Sequence, residues 1–483
     1  MHLRNTLKII GLFLMLFSVV MLPPAAVGLY YGDGAVNAFL ASFAWIFLAG
    51  TFLWLPLRKH KVVLRTRDGF LVVTLFWTVL GLFGGLPFWL ITDLNISLTD
   101  AFFEATSGLT TTGATVLVGL DTMPHAVNFY RALLHWLGGM GVVVLAVAVL
   151  PMLGVGGMQL YRAETPGPMK DAKLTPRIAE TAKALWVIYF SLTLACVLAF
   201  MWAGMSGFDA VVHGFSALST GGFSSHDKSL GYFNSVAIEL IAVFFMLLGA
   251  INFSLHFVAW RNRSLRAYFM DSEIRTYLVL LLIISLIIAL FLYFLGNYKT
   301  LDTAFRHALF TTVSLSTSTG FTTENFSVWP VFTPVLLMVV IMVGGCSGST
   351  AGGIKVVRLI ILFKQGLREI KRLIHPNAEI PIKLDGKAMP NRVLEAIWGF
   401  FAAYIAIFIL MTLLLMATGL DQVTAYSAVA ACIANAGPGL GKVALNYKDI
   451  NDVAKWLLSF TMIIGRLEVF TFLVILSPAF WRR

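Results

Sequence analysis

Four short segments hold the residues whose types and spacing could do chemistry. They are Thr110-Thr111-Thr112-Gly113, Ser219-Thr220-Gly221-Gly222, Thr317-Ser318-Thr319-Gly320 and Ala434-Asn435-Ala436-Gly437. Twelve positions before each closing glycine stands an alanine (Ala101, Ala210, Ala308, Ala425), and the glycines lie 109, 98 and 117 residues apart. A glycine-bearing spot follows each segment 24 to 28 residues on, at Gly138-Gly139, Gly249, Gly344-Gly345 and Gly465. One glycine after a helix is an ordinary C-cap; four at a matched register form an internal repeat. A helix that ends in a glycine turn leaves carbonyls unpaired, and at membrane depth these must line a cavity holding water or ions. Such oxygens can replace the water shell of a cation, glycine permits the dihedrals, and helix C-termini carry roughly half a negative charge each. The candidate cation ligands are Thr111, Thr112, Gly113, Thr220, Gly221, Gly222, Ser318, Thr319, Gly320, Asn435, Ala436 and Gly437. The fourth turn departs from the Thr-rich pattern, reading Asn435-Ala436-Gly437-Pro438-Gly439, so the set is asymmetric.

The elements that must position these turns follow from hydropathy. Of 483 residues, 58% are hydrophobic and 12% charged, far from the ~25% charged of soluble domains. Apolar runs near 9–30, 37–57, 69–92, 132–160, 183–204, 236–260, 276–296, 331–363, 394–419 and 452–480 are long enough to span a bilayer. The stretches near 99–112, 208–221, 306–319 and 423–436 are too short to cross; each ~13-residue helix covers ~20 Å of the ~30 Å hydrocarbon core. The expected fold is an all-α membrane protein of four tandem span, pore-helix, span repeats around a pseudo-fourfold pore, preceded by two extra transmembrane helices. Its units would be a prefix at 1–62 and repeats at 63–165, 166–265, 266–375 and 376–483. The basic start followed by an apolar run also fits a signal peptide, but the run from Ile9 is longer than a signal core, and more spans follow.

Topology follows from Lys and Arg. With the short stretches entering and leaving on one face, 27 of the 35 basic residues fall on the other face, which includes both termini and the 355–392 segment. That face is cytoplasmic, and the net charge of +11 is a topology signal that does not call for nucleic acid. On the external side, Asp93, Asp100, Glu104, Asp121, Asp209, Asp227, Asp302 and Glu324 either concentrate cations at a mouth or are ordinary solvated loop residues. Cys196, Cys346 and Cys432 lie far apart, without metal-ligand spacing. His135, His213, His256 and His307 read as packing or loop residues.

Two features break the spans. Gly344, Gly345, Cys346, Ser347, Gly348, Ser349, Thr350, Gly352 and Gly353 interrupt an apolar stretch from about Val331 to Ile374. Five glycines in ten residues, at ~1 kcal/mol each relative to alanine, do not sustain a helix well. The segment is either a flexible break or a gate; a phosphate cradle is disfavoured because Ile354 displaces Lys355 and no strand precedes. Arg466 lies in the last span; an intramembrane arginine costs at least ~2.5–3.5 kcal/mol, so it faces a cavity or an ion-pair partner. Glu468, two residues on, lies on another helix face and is a poor local partner.

These residues resemble the TrkH/KtrB/HKT superfamily of potassium transporters. The match spans the whole chain, and carries the two-span prefix, the four filter-like turns, Gly344 to Lys355, and Gly465-Arg466-Leu467-Glu468. The prefix and length look like the TrkH/TrkG branch. The resemblance implies a potassium-selective pore in the bacterial inner membrane, potassium as the transported ion with no organic cofactor, a homodimer, and a cytosolic TrkA-type nucleotide-binding regulator. In related plant transporters serine at the first filter glycine goes with sodium transport; here all four positions are Gly. Whether transport is channel-like or obligately coupled to protons or sodium is not legible. An intramembrane enzyme would need paired catalytic groups within the spans, and no H-E-x-x-H or G-x-S-x-G pattern is found there.

Overall fold

The computed structural model describes residues 3–59, 66–149 and 178–481. The unit boundaries expected at 62/63 and 165/166, the far end of the 132–160 run, and Lys61, Arg65, Arg162, Lys170, Lys173, Arg177, Arg482 and Arg483 lie outside the described residues. Helices dominate; among the described residues the strands are one small antiparallel pair, Lys383–Leu384 with Lys387–Ala388. Among the described residues, six helical segments are long and apolar enough to cross a membrane: Arg4–Tyr31, Val36–Leu57, Asp68–Leu90, Lys183–Trp202, Ser272–Phe294 and Asn391–Ala417. Large side chains such as Trp45, Phe52, Trp202 and Phe294 are exposed on them, as lipid-facing positions require. The chain is a multi-pass membrane protein.

The first two spans form an antiparallel pair. They approach closely because Gly11 and Gly50 face each other: a side chain on Gly11 would meet the Gly50 carbonyl oxygen at 2.8 Å. Small residues permit such contact where lipid supplies no hydrophobic drive between helices. Phe13, Leu14 and Phe39 then pack with Phe76, Trp77 and Tyr130 in one core that ties the pair to the rest.

Four short helices, Leu98–Leu109, Gly207–Leu218, Leu301–Ser316 and Gln422–Ile433, are buried along most of their length. Each starts on a side-chain cap: Ser97, Ser206, Thr300 and Asp421 accept from the backbone N–H three residues on. A cap satisfies one of the orphan donors at a helix start, worth ~1 kcal/mol.

Ten spans were expected from hydropathy, and six pass as continuous helices among the described residues. The difference lies in the runs that follow the short helices, which are all interrupted. His125–Val149 kinks at Gly141, whose φ is +70°. Val236–Ala250 and Phe253–Asn262 meet at 97°. Thr333–Val343 stops at Gly344, and helix resumes only at Val356. Asp452–Arg466 ends before Glu468 and Val469, both at φ +53°, and Phe470–Leu476 follows. Windowed hydropathy averages over these short breaks, so it does not see them.

Candidate functional site

Each short helix ends the same way. Thr111, Thr220, Ser318 and Asn435 adopt left-handed backbone at φ +54°, +52°, +55° and +52°. The next residue's N–H reaches back five positions at 2.9 Å in all four cases: Thr112 to Ser107, Gly221 to Ser216, Thr319 to Ser314 and Ala436 to Ala431. The left-handed residues themselves donate three positions back, at 3.0–3.3 Å. This is a Schellman motif, but with Thr, Thr, Ser and Asn at the position glycine usually fills. A β-branched residue at positive φ stores strain that the surroundings must hold, and such strain clusters at functional sites.

The closing glycines then bring the turns together. A side chain on Gly113 would collide with the Gly221 carbonyl oxygen, one on Gly222 with that of Thr319, and one on Gly320 with that of Ala436; one on Gly437 would lie 2.7 Å from that of Thr112. First touches second, second third, third fourth, and fourth first: the four turns close a ring. All four glycines border one cavity of about 440 Å³, whose wall also holds Thr115, Arg131, His226, Glu324 and Tyr447. The carbonyl-bearing residues expected from the sequence are thus adjacent in space, with the fourth turn included. Asn435 joins the seam where its amide donates to Thr112 Oγ1 at 3.0 Å and to the Met462 carbonyl at 2.9 Å.

The glycine-rich segment lies against the opposite side of the ring from the cavity. Thr350 Oγ1 donates to the Leu218 and Gly249 carbonyls at 3.1 and 2.9 Å and sits 3.2 Å from Thr220 Oγ1. Gly352 N–H donates to Ser318 Oγ at 2.7 Å, and a side chain at Gly352 would strike the Ala434 carbonyl. Second, third and fourth turns are all touched. The first turn meets Arg466: Nη1 contacts Thr111 Oγ1 at 3.3 Å and donates to the Thr350 carbonyl at 3.1 Å, while Nη2 donates to the Gly138 carbonyl. Its guanidinium also stands 5.7 Å from the Trp77 ring. Arginine and loop are therefore one hydrogen-bonded layer.

The loop is anchored from neighbouring helices. Cys346 N–H donates to the Ala250 carbonyl at 2.9 Å, and Phe253 N–H to the Gly348 carbonyl at 3.0 Å. Ser349 Oγ donates back to the Cys346 carbonyl at 2.6 Å. Glu273 Oε1 accepts from Ser347 N–H and from Val357 N–H, at 2.8 and 3.0 Å, and so holds both ends. Gly344 and Gly353 pass too close to each other for side chains. Gly345 also meets Ala351 and Ala250.

Several sequence expectations change here. Glu104 is not at a mouth: it is fully buried and paired with Arg131 at 2.7 Å. Asp100 bonds Lys455 at 2.6 Å. Lys355 and Arg358, counted among the basic residues of the 355–392 segment, are buried, at 3% and 6% exposed. Glu468 does find a partner, Arg358 at 2.6 Å. The positive φ at Glu468 and Val469 is what turns the chain out of helix there. The histidines pack as expected: His135 stacks on Phe223 at 4.0 Å, and His213 Nε2 lies 2.8 Å from Ser224 Oγ. Sequence reasoning missed Glu273, Glu104 and Arg131; a charge inside an apolar helix was the available signal.

Outside the membrane-spanning helices, His226 links two loops. It bonds Asp121 at 2.6 Å, lies 3.3 Å from Asp209, and stacks on Tyr232 at 3.6 Å. Burial pulls its pKa down, but the two carboxylates outweigh it and hold it above the usual value; Asp121 in turn is lowered.

Residues 35–483 match a family model, TrkH, described as cation transport protein. The chain is 55% identical over 484 residues to the Trk system potassium uptake protein TrkH of Vibrio parahaemolyticus, covering all of both chains. It is 53% identical to that of Escherichia coli K12 over 482 residues, again covering all of both, and 41% identical over 481 residues to the same strain's TrkG, covering 100% of this chain and 99% of TrkG. The crystal structure of the potassium transporter TrkH from Vibrio parahaemolyticus superposes with a TM-score of 0.91 at 52% identity, covering all of both chains. The chain belongs to the TrkH family of cation transport proteins.

Proposed function

We propose that this chain takes up potassium across the bacterial cytoplasmic membrane through the ring of four turns, with its termini and the 355–392 segment on the cytoplasmic side. The observation that carries this reading is the closed ring of left-handed turns under one cavity, with every closing position glycine. The turns' N–H groups are all held by the same Schellman bonds to helix carbonyls, which fixes the peptide planes beside them and presets the turns' own carbonyl oxygens to replace cation hydration. The relatives' names, which specify potassium uptake, support potassium as the ion. In this reading a two-helix prefix precedes four span, half-helix, span units around the axis.

The layer beneath the ring acts as the gate. A guanidinium there raises the barrier for a cation, by ~4 kcal/mol at 4 Å and an effective dielectric of 20. The loop occupies the remaining quadrants, so a conducting state requires both to move. A cytosolic TrkA-type nucleotide-binding subunit and a homodimer are the assembly that fits a Trk system component.

The test is rubidium flux into liposomes holding the purified protein, under imposed potassium, sodium and proton gradients. The expected result is flux that follows the rubidium gradient and membrane voltage alone. Flux that needs a proton or sodium gradient would replace the channel-like mechanism with obligate symport, and absence of any cation flux would overturn the assignment.

A further inference from the structure

Behind the ring, the four units differ at one register. Nine positions before the closing glycines stand Glu104, His213, Thr311 and Ala428. Glu104 makes the strongest connection. Its Oε1 accepts from Arg131 Nε at 2.7 Å, its Oε2 from Val116 N–H at 2.9 Å, and both oxygens lie 2.9–3.0 Å from Thr115 Oγ1. Arg131 continues across the seam: Nη1 donates to the Ser224 carbonyl at 2.9 Å, Nη2 to Thr115 Oγ1 at 3.0 Å, and the guanidinium lies 4.1 Å from the centre of the Phe223 ring. Thr115 and Ser224 each stand two residues beyond a closing glycine, in the first and second turns. One buried ion pair therefore holds the outgoing segments of two adjacent turns. At the same register the second unit has His213, whose Nε2 lies 2.8 Å from Ser224 Oγ and whose Nδ1 lies 2.8 Å from the Asp209 carbonyl, and the fourth has a methyl group.

We infer that the Glu104–Arg131 pair is a positioning device for ion selection, which fixes the width of the ring at the seam between its first and second turns and neutralises a cationic side chain at the cavity wall. The inference rests on the ring being the selectivity filter. The pair is fully desolvated, so its geometry is held tightly while both partners are present, and removal of one leaves an uncompensated charge. Arg131 borders the cavity through which a cation must approach. Glu104→Gln then does two separable things: it loosens the seam and exposes the approaching ion to an unbalanced positive charge.

The experiment measures rubidium and sodium flux, with KM for rubidium, in liposomes containing purified, monodisperse variants. Glu104→Gln is expected to lower the rubidium-to-sodium ratio about tenfold and to raise KM. The double variant Glu104→Gln with Arg131→Gln restores KM towards the parent and leaves the ratio low. Thr115→Val removes the hydroxyl shared by both partners without a change of charge; it lowers the ratio at unchanged KM, and carries the test if Glu104→Gln does not assemble. Parental ratios in the folded variants overturn the inference, because a merely structural pair would reduce yield and melting temperature only. Gly113→Ser in the same assay separates the two ideas. If it too leaves the ratio unchanged, the filter assignment fails; if it collapses the ratio while the Glu104 and Thr115 variants do not, only the present inference fails.

Discussion

The ring of turns and the layer beneath it are built from the same four units by opposite rules. In the ring, each helix ends on the same two backbone hydrogen bonds, within 0.3 Å of one another, and each left-handed residue lies within a few degrees of the others. In the layer beneath, the following helices all break, but in four ways: a kink at Gly141, a 97° bend after Ala250, an unwound stretch from Gly344 to Lys355, and positive φ at Glu468 and Val469. Among the described residues, the third unit contributes the loop and the fourth the arginine. A cage of carbonyls requires equivalent distances from all sides, so backbone geometry is repeated. A barrier needs only to fill space and carry charge, so one unit can supply each part. In the function proposed above, selection and gating fall to these separate layers.

The strongest blow to that division is aimed at the ring. Serine at Gly113, Gly222 or Gly320 places an atom against the next turn's carbonyl oxygen, and the expected outcome is a fall of tenfold or more in the potassium-to-sodium flux ratio. Unchanged ratios for all three would refute the filter assignment. In the lower layer, removal of part of 346–351 takes away the bonds from Thr350 to the second turn's helix and to Arg466. Flux should rise severalfold with its ratio retained, and response to a cytosolic regulator should weaken. Glu273→Ala is milder, since it frees the two N–H groups at the loop's ends and leaves the loop intact. An increase of about threefold in flux is expected, from loss of roughly one net hydrogen bond; a decrease would mean that Glu273 stabilises the open arrangement.

The smallest effect lies outside the membrane, where His226 joins the loops that follow the first and second turns. Its folded pKa is raised by Asp209 and Asp121, so the bridge stabilises fully below the ordinary histidine range and is lost as pH climbs through the folded value. Melting temperature should fall by about 2 °C between about pH 6 and pH 9, and His226→Gln should remove that slope. A slope of equal size in the variant would assign it to another group.

The ring was legible in the sequence because its geometry demands particular residues. Glycine is required where the next carbonyl passes at Gly113, Gly222, Gly320 and Gly437, and the twelve-residue offset to an alanine marks the buried helix before it. The unwound segment was legible through its glycines. The other three breaks were marked only by single glycine spots and, in the last span, by Arg466 and Glu468, and none of these reports a bend or its angle. Charge pairing was least legible. Glu104 and Arg131 are separated by 27 residues, and each alone reads as an external loop charge. Arg358 and Glu468 are 110 residues apart and meet only through the packing of two broken helices. Aligning the four units by their glycines would have exposed Glu104 as a carboxylate among otherwise uncharged positions.

The separation of layers is tested most directly by Arg466→Ala in liposomes, with rubidium and sodium flux measured on the same preparation. Arg466 contacts the loop at the Thr350 carbonyl and the ring at the Thr111 hydroxyl. The account predicts that rubidium flux rises about tenfold or more while the rubidium-to-sodium ratio stays at the parental value. A folded variant that conducts no faster than the parent, or one whose ratio collapses as flux rises, would contradict it.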